Sequence, residues 1–310
     1  MNDKYNSRHS EQRVYKDADQ TEFAAILRSS AIIDAGLFDD RISGALDEYD
    51  LEATDKPRWQ VQDLNLDTAG GAIREEIERR SILLGDAYPF KILENQLSYS
   101  QSKSNFYEFC LAISMAQNLT TGKNVNLPRI FERISASILK VYFGSDSNSL
   151  HVGKPRDHNV GKKFIEAMKK VNQLTNEWIW QPRQPYPGDP VTTGDEGMDF
   201  IVWKDSPDKR LGKLFIVGQC ACGDDWNTKF NDLNIKKISK WFNPLSYVDP
   251  VKAFTTPHHL SEINLVDAQN QAGWVFDRAR LSIIAERFFQ EKDVSIFIPK
   301  LKELSAMIIA

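Results

Sequence analysis

The sequence predicts an α/β fold in which helices flank a β-sheet, preceded by a mainly helical N-terminal region. Two apolar segments of strand length, residues 198–203 and 214–217, are separated by a polar turn that contains Pro207 and Gly212. A third apolar segment lies at 251–255, and helix-period apolar patterns lie before and after these segments. The order of helix, two strands, helix and strand therefore predicts one sheet covered by helices.

The composition predicts a soluble intracellular protein. The chain has 310 residues, of which 41% are hydrophobic and 26% charged, enough for one large or two modest domains. It contains no apolar run of about 18 residues and no apolar signal-peptide core, so we expect no membrane association and a cytoplasmic location. Three cysteines favour a reduced compartment over a disulfide framework. Because the formal net charge is −4, nucleic-acid binding would need a local basic patch.

Changes in pattern along the chain predict three regions. Residues 1–20 are polar and are expected to form a flexible arm. Residues 21–120 read as a mainly helical domain without evident chemistry, and a polar, glycine-containing connector at 119–126 marks its end. Residues 121–310 form the second predicted domain. The helices and the single hairpin of the first domain are predicted at residues 21–35, 70–84, 92–99 and 105–118.

The second domain begins with the most regular helical pattern of the chain, residues 127–143. Pro128 lies in its first turn, Gly144 follows its end, and Glu132 lies beside the apolar stripe rather than in it. Four prolines exclude regular structure over 180–190. Further helices are predicted at 162–177, 226–241, 278–290 and 294–310, and a short strand at 274–276.

The two central strands bring polar side chains to one end of the predicted sheet. Asp199 lies at the start of the first strand and Gln219 at the end of the second, so adjacent strands would present them side by side. Side chains alternate along a strand, which places Gln219 and Ala221 on one face and Cys220 and Cys222 on the other. This arrangement is typical of the ion site of a metal-dependent phosphodiesterase.

The residues around these strands resemble a known motif. Residues 194–199 read GDEGMD, and residues 218–221, after the turn and second strand, read GQCA. This resembles the PD-(D/E)xK superfamily, in particular its Mrr-type restriction endonucleases, which read GDGGxD, strand, turn, strand and QxK. The resemblance covers about residues 127–256 and implies a restriction endonuclease-like core, a mixed sheet flanked by helices. Ala221 occupies the position of the motif lysine.

The resemblance implies a magnesium or manganese site with catalytic Asp199, Gln219 and Glu132 as its ligands. Glu132 lies on the helix before the strands, where many superfamily members carry an acidic ligand. Carboxylate and amide oxygens suit Mg²⁺, which activates water and offsets developing negative charge. The structural alternatives are an aspartate that caps a strand, a strand-end glutamine and a solvated helical glutamate.

The resemblance also implies that the missing lysine is supplied from a neighbouring element. Lys229, about one turn into the predicted helix 226–241, is the candidate catalytic lysine, with an ordinary surface lysine as the alternative. Lys236, Lys237 and Lys240 cluster on the same predicted helix and are candidates for DNA-binding contacts to phosphates. A merely solvated helix face would carry the same charges.

A zinc site is a weaker alternative for this region. Cys220 and Cys222 would supply two thiols and His258 and His259 two imidazoles. Structural zinc sites usually have wider paired spacings, so two buried strand cysteines are the favoured interpretation.

The function expected from these features is metal-dependent hydrolysis of DNA by a nuclease in restriction or antiphage defence. Its expected partners are DNA and other subunits of a defence complex. Ala221 favours a second interpretation, a catalytically inactive nuclease-fold subunit that binds DNA or acts as a scaffold. A third, an unrelated cytosolic interaction protein, would require the motif at 194–223 to be accidental.

Overall fold

The computed structural model describes residues 2–32, 58–116, 118–182 and 196–309. The chain divides into two compact units, Met1–Ser102 with Ile309–Ala310, and Lys103–Ile308. None of the helices in the described ranges is both long enough and apolar enough to cross a membrane.

The first unit combines two long helices with a small antiparallel sheet. Helix α1 is Asn2–Arg28, and therefore includes residues for which the sequence predicts a flexible arm; α2 is Arg58–Leu84. The sheet has the order β1-β3-β2. Its strands are β1 Ser30–Ile32, β2 Phe90–Leu93 and β3 Gln96–Tyr99. The predicted hairpin at 92–99 is confirmed by the pairing of β2 with β3.

A buried arginine lies at the centre of the first unit. The Arg80 guanidinium donates hydrogen bonds to Asp19 at 2.6 Å, to Glu22 at 3.0 Å and to Glu76 at 2.7 Å. The Arg80 side chain is 0% exposed, so its charge depends on these carboxylates rather than on water. The cluster joins α1 to α2. The alternating charges in the sequence of α2 do not show that one of them is buried against α1.

The second unit contains a mixed five-stranded sheet of order β4-β5-β6-β7-β8. Strands β4, β5 and β6 are antiparallel neighbours, whereas β6, β7 and β8 are parallel. The strands are β4 Ser147–His151, β5 Phe200–Lys204, β6 Leu214–Cys220, β7 Val251–Thr255 and β8 Trp274–Phe276. The helices are α3 Phe106–Met115, α4 Asn126–Phe143, α5 Phe164–Thr175, α6 Ile235–Ser239, α7 Glu262–Ala272, α8 Arg278–Arg287, α9 Lys292–Ser295 and α10 Ile298–Ile309. The predicted α/β fold with a helix-covered sheet is confirmed.

Both faces of the central strands are buried. Phe200 and Ile216 face a core formed with α4, whereas Trp203, Phe215 and Val217 face a second core formed with α5 and the segment around α6. Burial on both faces explains why β5 and β6 read as continuous apolar runs rather than as alternating ones.

Strand β4 is absent from the sequence prediction, which places no strand between the helices at 127–143 and 162–177. Ser147–His151 nevertheless pairs along its whole length with β5, with His151 opposite Phe200. The strand is short, polar and at the edge of the sheet, so its period-2 pattern is weak. Its position depends on pairing with a strand about fifty residues later in the sequence.

The predicted helix at 226–241 is wrong. The chain forms a single 3₁₀ turn at Trp226–Thr228, and α6 begins only at Ile235. Asparagine and aspartate side chains compete with helical hydrogen bonds, and Asn234 instead caps α6 by accepting from the N–H groups that follow it. The predicted strands at 251–255 and 274–276 are confirmed in full.

Candidate functional site

Asp199 lies immediately before β5 and is held by both neighbouring strands. Its N–H donates to the Gly218 carbonyl at 2.9 Å, and its carbonyl accepts from the N–H groups of Val152 and Gly153, each at 2.8 Å. The Asp199 Oδ2 atom accepts from the Cys220 N–H at 2.7 Å. Four hydrogen bonds therefore fix both the backbone and the carboxylate of this residue.

Gly153 lies against two carboxylates. A Cβ atom at this position would be 2.9 Å from Asp199 Oδ1 and 3.0 Å from Glu132 Oε2, so these oxygens are less than about 6 Å apart. The structure thus brings together two of the three predicted metal ligands, Glu132 from α4 and Asp199 from the edge of β5. The absent side chain of Gly153 leaves the space beside both oxygens open. We refer to Glu132 and Asp199 as the carboxylate pair.

His151 fixes the glutamate of this pair. Its Nε2 atom is 2.8 Å from Glu132 Oε2, and the two side chains are only 5% and 15% exposed. Directly opposite residues of an antiparallel pair share a face, so His151, opposite Phe200, points toward α4. A neutral imidazole protonated at Nε2 would donate to Glu132. The Nδ1 atom is buried without a hydrogen-bond partner among the described residues.

Sequence reasoning missed both His151 and Gly153. They become visible only once β4 is placed beside β5, because their closeness to Asp199 results from strand pairing and not from spacing. The one local signal is that a histidine, His151, lies two residues before Gly153, where a basic loop begins.

Gln219 is the third predicted metal ligand. It is buried and hydrogen-bonded, and it lies on the face of β6 opposite to the face that packs against α4. It is 6% exposed, and its Oε1 atom accepts from the Leu233 N–H at 3.3 Å. An amide oxygen has two lone pairs, so one acceptor position remains after this bond. Its role as a metal ligand stays a prediction.

Lys229 does not lie on a helix that follows the second strand. It ends the 3₁₀ turn, and its Nζ atom is 3.3 Å from Asp225 Oδ2, with the two side chains 41% and 62% exposed. Exposed ion pairs contribute only about 0–1 kcal/mol, so this one can open readily. The helical position on which the prediction of a catalytic Lys229 was based is therefore wrong, and the role itself stays a prediction.

Ala221, at the position of the motif lysine, belongs to an apolar cluster. It is 6% exposed and packs in a core that includes Trp226, Phe230 and Phe254. Its N–H donates to the Thr255 carbonyl at 3.0 Å. This position contributes to packing, and a lysine here would bring a charge into an apolar environment.

Cys220 ends β6, and Cys222 follows two residues later in the same apolar surroundings. Burial raises the pKa of both Cys220 and Cys222, and the negative charges of Asp199 and Glu132 raise it further. The reactive or metal-binding form of cysteine is the thiolate, which such an environment disfavours. Among the residues that the structure describes, no group of three or more histidine, cysteine, aspartate or glutamate side chains is arranged to hold a metal ion.

The predicted DNA-binding lysines differ in their surroundings. Lys236 and Lys237 are exposed on the short helix α6. The Lys240 Nζ atom is 3.7 Å from Glu196 Oε1 and 4.6 Å from the centre of the Trp241 ring. Lys240 is therefore engaged within the protein, whereas the other two face solvent. Their contact with DNA stays a prediction.

Two other parts of this region do not contribute to the site as the structure describes it. Gly194 and Asp195, the first residues of the GDEGMD motif, lie outside the described residues. An open groove of about 780 Å³ is lined by Asn176 and residues 206–211. This groove is at the turn between β5 and β6, at the opposite end of β5 from Asp199.

Among known proteins, the chain has one weak structural match. No protein family model matches the sequence, and no curated protein matches it. Among solved structures, the chain is similar to the MspJI restriction endonuclease in complex with a 27-mer oligonucleotide, with 12% sequence identity and a TM-score of 0.30. The match covers 61% of this chain and 33% of that one, so this chain spans about a third of that protein's length. A likeness this weak supports no statement about activity.

Proposed function

We propose that this protein is a metal-dependent nuclease that hydrolyses phosphodiester bonds of DNA. One observation carries the proposal: Asp199 Oδ1 and Glu132 Oε2 lie 2.9 and 3.0 Å from the position that a Gly153 Cβ would fill. Two carboxylate groups less than about 6 Å apart repel each other, and a cation beside them would offset that repulsion. Such a pair at the end of a strand is chemically suited to a divalent cation.

The carboxylate pair fits Mg²⁺ or Mn²⁺ better than a metal that is enclosed by protein ligands. Mg²⁺ usually keeps several waters and takes only one or two protein carboxylates together with substrate phosphates. Glu132 and Asp199 would hold the ion, with Gln219 as the proposed third ligand. When bound, the ion would lower the pKa of a water molecule and stabilise the charge that develops on the phosphate.

The protein's own contribution is to hold these oxygens in place. The Cys220 N–H fixes one oxygen of Asp199, which leaves Oδ1 on the side of Glu132. His151, on β4, holds the Glu132 carboxylate through a hydrogen bond. Hydrogen-bonded partners of this kind orient metal-binding carboxylates, and their loss typically lowers metal affinity by about 10–100-fold.

The positive charge that the motif lysine would supply is proposed to come from Lys229, which requires its pair with Asp225 to open. Lys236, Lys237 and Lys240 are proposed to contact DNA phosphates. A role in restriction or antiphage defence, together with other subunits of a defence complex, is proposed on the resemblance of residues 194–221 alone.

A second function is supported by a different observation. Ala221 is buried in an apolar cluster, and Lys229 is paired with Asp225, so no lysine is seen at the carboxylate pair from either predicted position. A protein without that cation would be a catalytically inactive nuclease-fold subunit, which binds DNA or acts as a scaffold in a larger complex.

A cleavage assay separates these two functions. The purified chain is incubated with plasmid, linear duplex or single-stranded DNA and with Mg²⁺, Mn²⁺ or EDTA. The double variant Glu132→Gln/Asp199→Asn removes the proposed ligands, and Glu262→Gln, at an exposed glutamate on α7, is the control for the loss of a carboxylate elsewhere on the protein. We expect cleavage by wild type and control only with metal, and none by the double variant. DNA binding without cleavage under every condition would favour the inactive subunit.

A further inference from the structure

A strongly basic loop begins at the carboxylate pair. Residues 153–163 read GKPRDHNVGKK and connect β4 to α5; we call them the β4–α5 loop. The loop contains four lysine and arginine residues and a single aspartate, although the whole chain has a formal net charge of −4. Its first residue, Gly153, is the one that contacts Glu132 and Asp199. The basic loop therefore starts at the candidate metal site.

The loop is attached firmly to the helix that carries Glu132. The Arg133 Nη2 atom donates to the Pro155 carbonyl at 3.0 Å and to Asp157 Oδ1 at 3.0 Å. The Arg156 Nη1 atom donates to the Lys162 carbonyl at 2.9 Å, which closes the loop on itself. These bonds tie the backbone of the loop to α4 and to itself, so the lysines project from a backbone that is already held in place.

At the C-terminal end of the loop, lysine side chains rather than backbone N–H groups would bind an anion. Glu166 Oε2 accepts from the N–H groups of Lys162 at 2.7 Å and Lys163 at 3.0 Å. Because these N–H groups at the start of α5 are already bonded, an anion would be bound by the ammonium groups. Counting Glu166, the loop and its cap still carry an excess of positive charge.

Three lysines of the loop are available for such contacts. Lys154, Lys162 and Lys163 are all exposed. Hydrogen bonds from the Lys163 and Lys162 N–H groups lower the pKa of Glu166, and the charges of both lysines lower it further, so this carboxylate is their neighbour. An exposed ammonium group is suited to a phosphate contact.

We propose that the β4–α5 loop binds the phosphate backbone of DNA and guides it to the carboxylate pair. That the polyanion is DNA rests on the proposed function. That the loop binds a polyanion is inferred from its charge and exposure. Lysine contacts to phosphates position a nucleic acid without reading its sequence, so we expect the loop to contribute equally to all sequences. Binding through the loop should also be strongly dependent on salt.

Equilibrium binding in EDTA tests the proposal independently of cleavage. The Kd for a short fluorescent duplex is measured by anisotropy at several NaCl concentrations between about 50 and 200 mM, a range over which phosphate contacts change affinity strongly. The loop variant is Lys154→Gln/Lys162→Gln/Lys163→Gln. The matched control changes the same charge at three other exposed lysines, Lys91→Gln/Lys292→Gln/Lys302→Gln.

Three lost phosphate contacts should reduce the slope of log Kd against log salt by about 2.7, since each contributes about 0.9. The fourfold salt range should then change the Kd of the loop variant about 40-fold less than that of the wild type. The control should retain the wild-type slope. Unchanged affinity and slope in the loop variant would overturn the proposal, as would a wild-type protein that binds no DNA.

The outcome is separable from that of the proposed function. A loop variant with weaker DNA binding, in a protein that never cleaves, would support the binding surface and reject the nuclease. A metal-dependent nuclease whose loop variant binds as tightly as wild type would retain the function and reject the surface. Thermal unfolding of all variants checks that the loop substitutions leave the fold intact.

Discussion

The substitution Gly153→Ala adds one methyl group beside the carboxylate pair and so tests whether that space is needed to bind the ion. In Gly153→Ala the new Cβ would lie 2.9 Å from Asp199 Oδ1, 3.0 Å from Glu132 Oε2 and 3.3 Å from Asp199 Cα. The backbone of Gly153 is outside the positive-φ region, so alanine adds no backbone strain of its own. The substitution therefore acts through crowding of the two carboxylates.

The new methyl group would push the two carboxylates away from their positions, because three hydrogen bonds hold the Asp199 backbone, whereas its carboxylate is held through the Cys220 N–H. Asp199 is held by hydrogen bonds of 2.8, 2.8 and 2.9 Å to the strands on both sides. Overpacking of this kind typically destabilises a protein by about 1–3 kcal/mol. Displacement of a reacting or ligating group by about 1 Å can lower a rate about a hundredfold. We expect a small loss of stability and a large loss of metal-dependent cleavage.

Thermal unfolding and plasmid cleavage, each with and without Mg²⁺, measure the two effects. At about 2–4 °C per kcal/mol for a domain of this size, unfolding should shift down by only a few degrees. The wild type should unfold at higher temperature with Mg²⁺, whereas Gly153→Ala should lose that increase. Gly71→Ala is the control, since a Cβ there meets nothing within 4 Å.

A Gly153→Ala protein that cleaves DNA at the wild-type rate and is still stabilised by Mg²⁺ would contradict this prediction. The space beside Glu132 and Asp199 would then have no role in binding the ion.

Three further predictions test other parts of the structure. His151→Phe should weaken Mn²⁺ binding about 10–100-fold by freeing Glu132, as titration would measure, and unchanged affinity would exclude a positioning role for the histidine. Lys229→Ala should slow cleavage at saturating DNA without changing the Kd; if only Lys154→Gln does so, the cation comes from the β4–α5 loop. Arg80→Ala should destabilise the first unit by about 3–5 kcal/mol in urea unfolding, because it leaves buried carboxylates unpaired; a change below about 1 kcal/mol would contradict this.

Part of the site could be predicted from local sequence patterns. Asp199 stands out because an acidic residue begins an apolar strand. Glu132 was predicted from the family resemblance, which implies an acidic residue on the helix before the strands, and its helix and that strand both form as the local patterns predict.

The remainder depends on contacts between distant residues. His151 and Gly153 reach Asp199 only through the pairing of β4, a short polar strand with little pattern of its own. The lysines at 229–240 have helical spacing, but the asparagine and aspartate residues among them break the helix, so the predicted position of Lys229 was wrong. Burial of Arg80 likewise depends on packing of α1 against α2 and not on the sequence of either helix.

Direct measurement of Mn²⁺ binding shows whether Glu132 and Asp199 form a divalent metal site. Mn²⁺ is titrated into the wild type, Glu132→Gln/Asp199→Asn and the control Glu262→Gln, and the free ion is followed by electron paramagnetic resonance. We expect the wild type and the control to bind with equal affinity, and the double variant to lose that site while unfolding at a similar temperature. Equal Mn²⁺ binding by all three proteins would contradict the account.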